Sequence, residues 1–279
     1  MFKIVEKRIL APDIKWYNIY APQVAKKARA GQFVILRLHD KGERIPLTIA
    51  DYDREKGTVL IVFQEVGKTT KMLGMLNEGD ELLDFIGPLG IPFQLEEKIT
   101  NVVLIGGGVG IPAIYPKAKE LFREGEKRVI SIIGARNKDL LIMKEEMAKA
   151  SHELLIATDD GSEGTKGFVT TVLQDLIDKK VPMDVVIAVG PPIMMKMVAK
   201  TTKPYDIYTL VSLNSIMVDG TGMCGSCRVT VDGKIKFACV DGPIFDGHKV
   251  DFDELMRRNR MYIDKERLSL EIWEKEVQR

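Results

Sequence analysis

Short apolar runs bounded by turn residues fill the first third of the chain; longer apolar runs alternating with amphipathic stretches fill the middle. GQFVILRL (31–38), GTVLIVF (57–63) and DELLDFIGPLG (80–90) are rich in Val, Ile, Leu and Phe, and HDKGER, DYDREKG and NEGD punctuate them. That spacing predicts an all-β unit over 1–97, a small barrel or sandwich, interrupted by one helix-like patch, KTTKMLGMLN (68–77). The texture changes near Lys98. NVVLIGGGVG (101–110), KRVISIIGAR (127–136), ELLIATDDG (153–161), MDVVIAVG (183–190) and YDIYTLV (205–211) read as buried strands. A helical stretch to about Glu124, LLIMKEEMAKA (140–150), VTTVLQDLIDKK (169–180) and IMMKMVAKTT (193–202) read as the helices between them. Near-continuous apolar strands alternating with helices predict a parallel sheet covered on both faces over 98–211. Residues 212–250 form a Gly-rich, turn-rich module, and 251–279 a charged helical tail.

Composition narrows the classes. The 279 residues are 45% hydrophobic and 29% charged, as in a globular protein of two domains or two plus a small module. A net charge of +1 gives no bulk electrostatic argument for nucleic acid or an anionic membrane. No apolar run reaches the roughly 18–20 residues of a membrane span, and MFKIVEKRIL lacks the h-region of a signal peptide. Three clustered cysteines are no disulfide framework, and a reducing cytoplasm is the expected location.

Two glycine-bearing loops suit a nucleotide. LIGGGVGIPA places Gly106, Gly107, Gly108, Val109 and Gly110 at the first strand-to-helix turn of the α/β half. Glycines there let backbone approach a pyrophosphate, and the helix N-terminus supplies N–H donors. The spacing departs from G-x-G-x-x-G, and Pro112 enters the first helical turn. VGPPIMM (189–195) puts Gly190 and Pro191 at the end of a later strand, and Asp159 and Asp160 follow the third. Arg136 stands where a Rossmann unit carries an acidic ribose partner; it faces a 2′-phosphate or is a solvated loop residue.

In the first half, ERIPLTIAD (43–51) sets Arg44, Pro46 and Thr48 at alternate positions, hence on one face of an extended chain, with Leu47 between them. A guanidinium there suits a phosphate, and a proline with a threonine suits a flat ring with hydrogen-bonding nitrogens. EVGKTT (65–70) brings Gly67, Lys68, Thr69 and Thr70 to the start of the helical patch, a second phosphate-type helix end.

All three cysteines lie in MVDGTGMCGSCRVTVDGKIKFACVDG (217–242): Cys224 and Cys227 as C-x₂-C, then Cys239 after eleven intervening residues. Plant-type [2Fe–2S] sites run C-x₄-C-x₂-C…C. In that frame the first position is Asp219, so the candidate ligands are Asp219, Cys224, Cys227 and Cys239, with Gly220, Gly222 and Gly225 letting the loop wrap. The competing chemistry is a three-cysteine zinc site completed by Asp219 or His248. Ser226, inside the pair, ranks behind Asp219 as a ligand.

The order of an Arg-x-Pro-x-Thr barrel, GGGVG, then GPP followed by methionines resembles the ferredoxin–NADP⁺ reductase superfamily. That resemblance implies FAD in the barrel, with Arg44 on its pyrophosphate, Pro46 flanking the isoalloxazine and Thr48 near N5, and NAD(H) on the α/β domain. Where that family often has CGP, this chain has VGP, with Val189 in the cysteine's place. With the cluster loop included, residues 1–250 resemble three electron-transfer subunits. They are the electron-transfer subunit of dihydroorotate dehydrogenase and the small subunits of sulfide dehydrogenase and of NADH-dependent reduced ferredoxin:NADP⁺ oxidoreductase. The aspartate in place of the first cysteine resembles the last two. The implied protein is a cytoplasmic relay, part of an electron-bifurcating heterodimer. Its large subunit would carry a second FAD, [4Fe–4S] clusters and the NADP(H) site, with ferredoxin reached through the complex. No acid–base catalytic residue is implied. A structural zinc or redox-sensing module on a nucleotide-binding scaffold is the reading from another class.

Overall fold

A computed structural model describes residues 2–277. Residue 1 of the expected barrel and residues 278–279 of the expected tail lie outside the described residues. The N-terminal unit runs β1 (Phe2–Ala11), β2 (Ile14–Tyr20), α1 (Pro22–Lys27), β3 (Phe33–Arg37), β4 (Ile45–Asp53), β5 (Thr58–Gln64), α2 (Lys68–Met75), β6 (Glu81–Leu82) and β7 (Asp84–Leu89). The strands form a near-closed antiparallel barrel in the order β6-β1-β2-β5-β4-β3-β7. Strand β5 shows why its sequence is apolar throughout. Val59, Ile61 and Phe63 fill the barrel interior, while Leu60 and Val62 pack outward in a second core shared with the next unit.

One polar group fixes α2 to the barrel. The hydroxyl of Tyr17, a fully buried residue, lies 2.9 Å from Leu73 O, 3.2 Å from Gly74 O and 2.7 Å from Leu76 O, carbonyls at the C-terminal end of α2. The Lys7 ammonium adds bonds of 2.9 Å to Gly74 O and 2.6 Å to Leu76 O, a cation at the negative end of the helix. Burial holds the phenol protonated far above its usual range. Tyr17→Phe is expected to remove the hydroxyl contacts while Leu76 N still donates to Leu73 O and Lys7 to Gly74 O and Leu76 O, and so to lower unfolding free energy by about 0.5–1.5 kcal/mol. A urea titration with an unchanged midpoint would refute this.

The second unit runs β8 (Asn101–Gly107), α3 (Ile111–Glu124), β9 (Arg128–Ala135), α4 (Lys144–Lys149), β10 (Glu153–Thr158), β11 (Thr165–Lys166), α5 (Val169–Asp178), β12 (Val185–Val189), α6 (Pro192–Thr202) and β13 (Tyr208–Ser212). Then follow the hairpin β14 (Arg228–Val231) and β15 (Lys234–Phe237), β16 (Ile244–Asp246), α7 (Phe252–Asn259) and α8 (Ile263–Val277). The large sheet is ordered β11-β10-β9-β8-β12-β13-β16. Its strands are parallel, as expected, except β16, which pairs antiparallel with β13. The cysteine-bearing segment therefore lends its last strand to the α/β sheet.

The units are packed together. On one face of the large sheet, Leu104, Ile111 and Ile114 share a core with Trp16, Ala50, Leu60 and Val62 of the barrel. The Lys119 ammonium, on α3, pairs with Asp51, on β4, at 2.5 Å. On the other face Val103, Ile105, Val186 and Ala188 belong to a core that also takes in Cys227, Cys239, Phe33 and Ile35. Helix α8 returns to the barrel, where Glu274 pairs with Lys71 of α2 at 2.6 Å.

Candidate functional site

The parallel strands β8, β9, β10 and β12 end on one sheet edge, and that edge collects the expected nucleotide residues. Gly106 and Gly107 close β8, and residues 108–110 form a single 3₁₀ turn before α3. Arg136 follows β9 and is exposed, Asp159 and Asp160 follow β10, and Gly190 and Pro191 lie between β12 and α6. Asp160 N–H donates to Arg136 O at 3.2 Å, which ties the ends of β9 and β10 together. The Ser162 hydroxyl and N–H hold the Asp160 carboxyl below its usual range. The glycines have distinct reasons. A Cβ on Gly110 would lie 2.1 Å from Val189 O, and one on Gly107 2.4 Å from the Met194 sulfur. Gly190 backs onto the same thioether, at 2.7 Å from Met194 Cε. Gly108, at φ +54°, faces open space. Met194 is thus a residue that joins both loops; the only sequence signal was its place after GPP. Pro112 occupies the first turn of α3, a position where proline is well tolerated.

Strand β4 realises the expected alternation. Ile45, Leu47 and Ile49 face the barrel interior, so Pro46 and Thr48 face outward. Leu47 therefore offers that outer face only its backbone. Arg44 is exposed immediately before the strand. The register pairs Pro46 with Ile35 and Thr48 with Phe33. At the start of α2, Thr70 Oγ1 accepts from Val66 N and Gly67 N, both at 3.0 Å, and so is spent on the cap. Thr69 is buried, its hydroxyl donating to the Glu43 carboxylate. Lys68, Thr69, Gly42 and Glu43 line a cavity of about 80 Å³ there, and a Cβ on Gly67 would meet nothing within 4 Å.

The cysteine loop sits against that outer barrel face. A Cβ on Gly220 would lie 2.7 Å from Leu89 Cδ1 and 3.0 Å from Ile35 Cγ1, so this loop touches the cross-strand partner of Pro46. Gly220 adopts φ +75°, Gly222 +86° and Gly225 +67°, which L side chains rarely adopt. Cys227 and Cys239 are buried with sulfurs 3.2 Å apart, whereas Cys224 is exposed and its sulfur lies 3.2 Å from Ser226 Oγ. Asp219 accepts from Thr221 N and Cys224 N at 2.7 Å each, contacts that hold its carboxyl below the usual range. Burial, with the adjacent Cys227 thiol, pushes Cys239 up to about 12. Among the described residues no three His, Cys, Asp or Glu side chains already converge as a metal site. The loop therefore gathers two of the four expected donors and holds the other two on the same turn. His248 is elsewhere, bonded at 2.9 Å to Thr202 of α6.

Residues 104–200 match the family described as oxidoreductase NAD-binding domain, and 214–251 the iron-sulfur cluster binding domain of dihydroorotate dehydrogenase B. Barrel, nucleotide sheet and cysteine module together define a ferredoxin reductase-like oxidoreductase subunit. The chain belongs to the family of dihydroorotate dehydrogenase B electron transfer subunits and their homologues. The homologue from Thermotoga maritima is 50% identical over 269 residues, covering 96% of this chain and 94% of that protein. The electron transfer subunit from Streptococcus mutans is 33% identical over 258 residues, covering 90% and 97%. A solved structure of the NADH-dependent reduced ferredoxin-NADP oxidoreductase, studied for flavin-based electron bifurcation, is 48% identical with a TM-score of 0.92, covering 98% of both chains. Among the described residues no helix is long and apolar enough to cross a membrane.

Proposed function

We propose that this chain is the small, relay subunit of a bifurcating NADH-dependent reduced ferredoxin:NADP⁺ oxidoreductase. The observation that carries the proposal is the contact of the cysteine loop, through Gly220, with Ile35, the partner of Pro46. It brings the cluster-type loop and the flavin-type face of the barrel into one core. The structural likeness at 48% identity supports the same reading.

The residues fit the groups the reading requires. A carboxylate and two cysteines on one glycine-rich turn, with Cys239 brought beside Cys227 by the β14–β15 hairpin, are the donor chemistry of a [2Fe–2S] cluster, so Asp219, Cys224, Cys227 and Cys239 would hold it. Open space at Gly67, at the N-terminus of α2, fits a phosphate; Arg44, Pro46, Thr48 and the backbone of Leu47 complete the candidate FAD site. A phosphate near α2 would compete with Glu43 for Thr69. Gly106–Gly110, Arg136, Asp159, Asp160, Gly190 and Pro191 would receive NAD(H). When bound, the flavin would exchange hydride with NAD(H) and single electrons with the cluster; the chain orients and tunes both. Buried Phe33 and Ile35 keep water out of the space between loop and barrel. The partner in this reading is a large subunit with a second FAD, [4Fe–4S] clusters and the NADP(H) site, and the thiol chemistry suits a reducing cytoplasm.

The deciding experiment is purification of the full chain. It should be yellow-brown, contain FAD and iron, and bleach with NADH. Alone it should reduce dyes with NADH, yet not couple NADPH oxidation to reduction of both NAD⁺ and ferredoxin; adding the large subunit should create that reaction. A colourless, zinc-bearing protein would overturn the assignment. The other family reading, a dihydroorotate dehydrogenase electron-transfer subunit, rests on relatives such as the 33%-identical streptococcal one. Dihydroorotate as the productive substrate of the native complex would favour it.

Two substitutions test the sites. Asp219→Cys should keep the cluster and lower its reduction potential, because thiolate donates more electron density than carboxylate; an unchanged potential removes Asp219 from the ligand set. Arg44→Ala should purify with less FAD, since hydrogen bonds to charged groups contribute about 1.5–3 kcal/mol. Wild-type flavin content would exclude Arg44.

A further inference from the structure

A cavity of about 240 Å³ opens behind the cysteine loop, between residues 215–228 and helix α7 with the turn after it. Its lining holds two guanidinium groups, Arg228 and Arg258, and no carboxylate. It also holds two buried polar atoms without a hydrogen-bond partner, Ser215 Oγ and Asn259 Oδ1. Ser215 is only 6% exposed. Asn259 Nδ2 donates to Asn214 O at 3.1 Å. Buried polar atoms are costly when unpaired. Neither atom is reachable from outside, so what the cavity presents to a ligand is the guanidinium pair, which asks for an anion. An acidic residue of a polypeptide supplies it with its side-chain carboxylate.

The rim indicates a protein surface over a free solute. Val218, Met261 and Tyr262 line the mouth and are 44%, 55% and 43% exposed, an apolar collar larger than a small carboxylate would cover. Arg258 also donates to Ser226 O at 3.1 Å, between the two cysteines of the C-x₂-C pair. We propose that this cavity is the socket for an acidic residue of the large subunit, docked beside the cysteine loop. The inference rests on the relay reading above. It adds a specific anchor: Arg228 and Arg258 take the carboxylate.

The test uses the full chain co-expressed with that large subunit. Arg228→Glu should weaken association at least about tenfold, because like charges would face each other, while Arg228→Lys should stay near wild type. A photo-crosslinking residue at Met261 should capture the large subunit within a few residues of an Asp or Glu; one at Ile9, 67% exposed on β1, should not. Wild-type affinity in Arg228→Glu, capture from position 9 but not 261, or capture at a segment without acidic residues overturns the socket. So does failure of the wild-type pair to associate. If Arg228→Glu loses iron, the Met261 crosslink decides. Iron, FAD and NADH–dye activity of the isolated wild-type chain judge the relay reading separately.

Discussion

Cys227→Ser is expected to strip the chain of nearly all its iron, and Cys239→Ser to do the same. Both sulfurs are buried, 3.2 Å apart, in the core that joins the loop to the large sheet. A neutral hydroxyl replaces a thiolate at the point where the protein has least freedom to bring another donor. Loss of a partner behind a ligand already costs about 10–100-fold in metal affinity. Loss of the ligand itself should leave less than roughly a tenth of the iron. Cys224→Ser should also lose iron, but its exposed sulfur leaves room for adjustment, so partial retention is expected there first. Ser226→Ala should keep the iron, since Ser226 is the neighbour of Cys224 and not a proposed ligand. Iron content and visible absorbance measure the effect, and FAD content reports whether the rest of the chain is intact. Full iron in Cys227→Ser would exclude the proposed ligand set.

Gly110→Ala is expected to abolish most NADH–dye activity while sparing FAD and iron. The new methyl would sit 2.1 Å from Val189 O, a backbone atom at the C-terminal end of β12, so β12 and the glycine turn must move apart. Overpacking of this kind costs about 1–3 kcal/mol. The displaced atoms are the proposed pyrophosphate cradle, so kcat/KM for NADH should fall about tenfold or more. Gly108→Ala is the contrast. Its methyl enters open space, and its penalty is the left-handed backbone at φ +54°, about 1–2 kcal/mol. Activity loss in Gly108→Ala that exceeds that in Gly110→Ala would contradict the packing argument.

The apolar pattern made the large sheet and its helices legible because strands buried on both faces are written in Val and Ile almost without interruption. It was silent on β1, whose FKIVEKRILA mixes charges into a long strand with one face in solvent. It was silent on β16, only three residues long and held by its neighbour β13 more than by its own sequence. The candidate site was legible where spacing encodes geometry: the alternation of Pro46 and Thr48, the glycines beside β8, and the C-x₂-C pair. Packing between distant segments was not. Nothing local indicates that Met194 wedges between Gly107 and Gly190, that Thr70 is spent on its own cap, or that Gly220 lands on Ile35. Those contacts arise only when separate units close on one another.

The antiparallel pairing of β16 on β13 has a bearing on how this chain behaves in a crowded cell. An open strand edge is a template for uncontrolled pairing with other chains. Here the segment that shields β13, whose Leu210 and Val211 are buried, is the same one that carries the cysteines. A chain whose cysteine segment failed to settle would display a bare apolar edge.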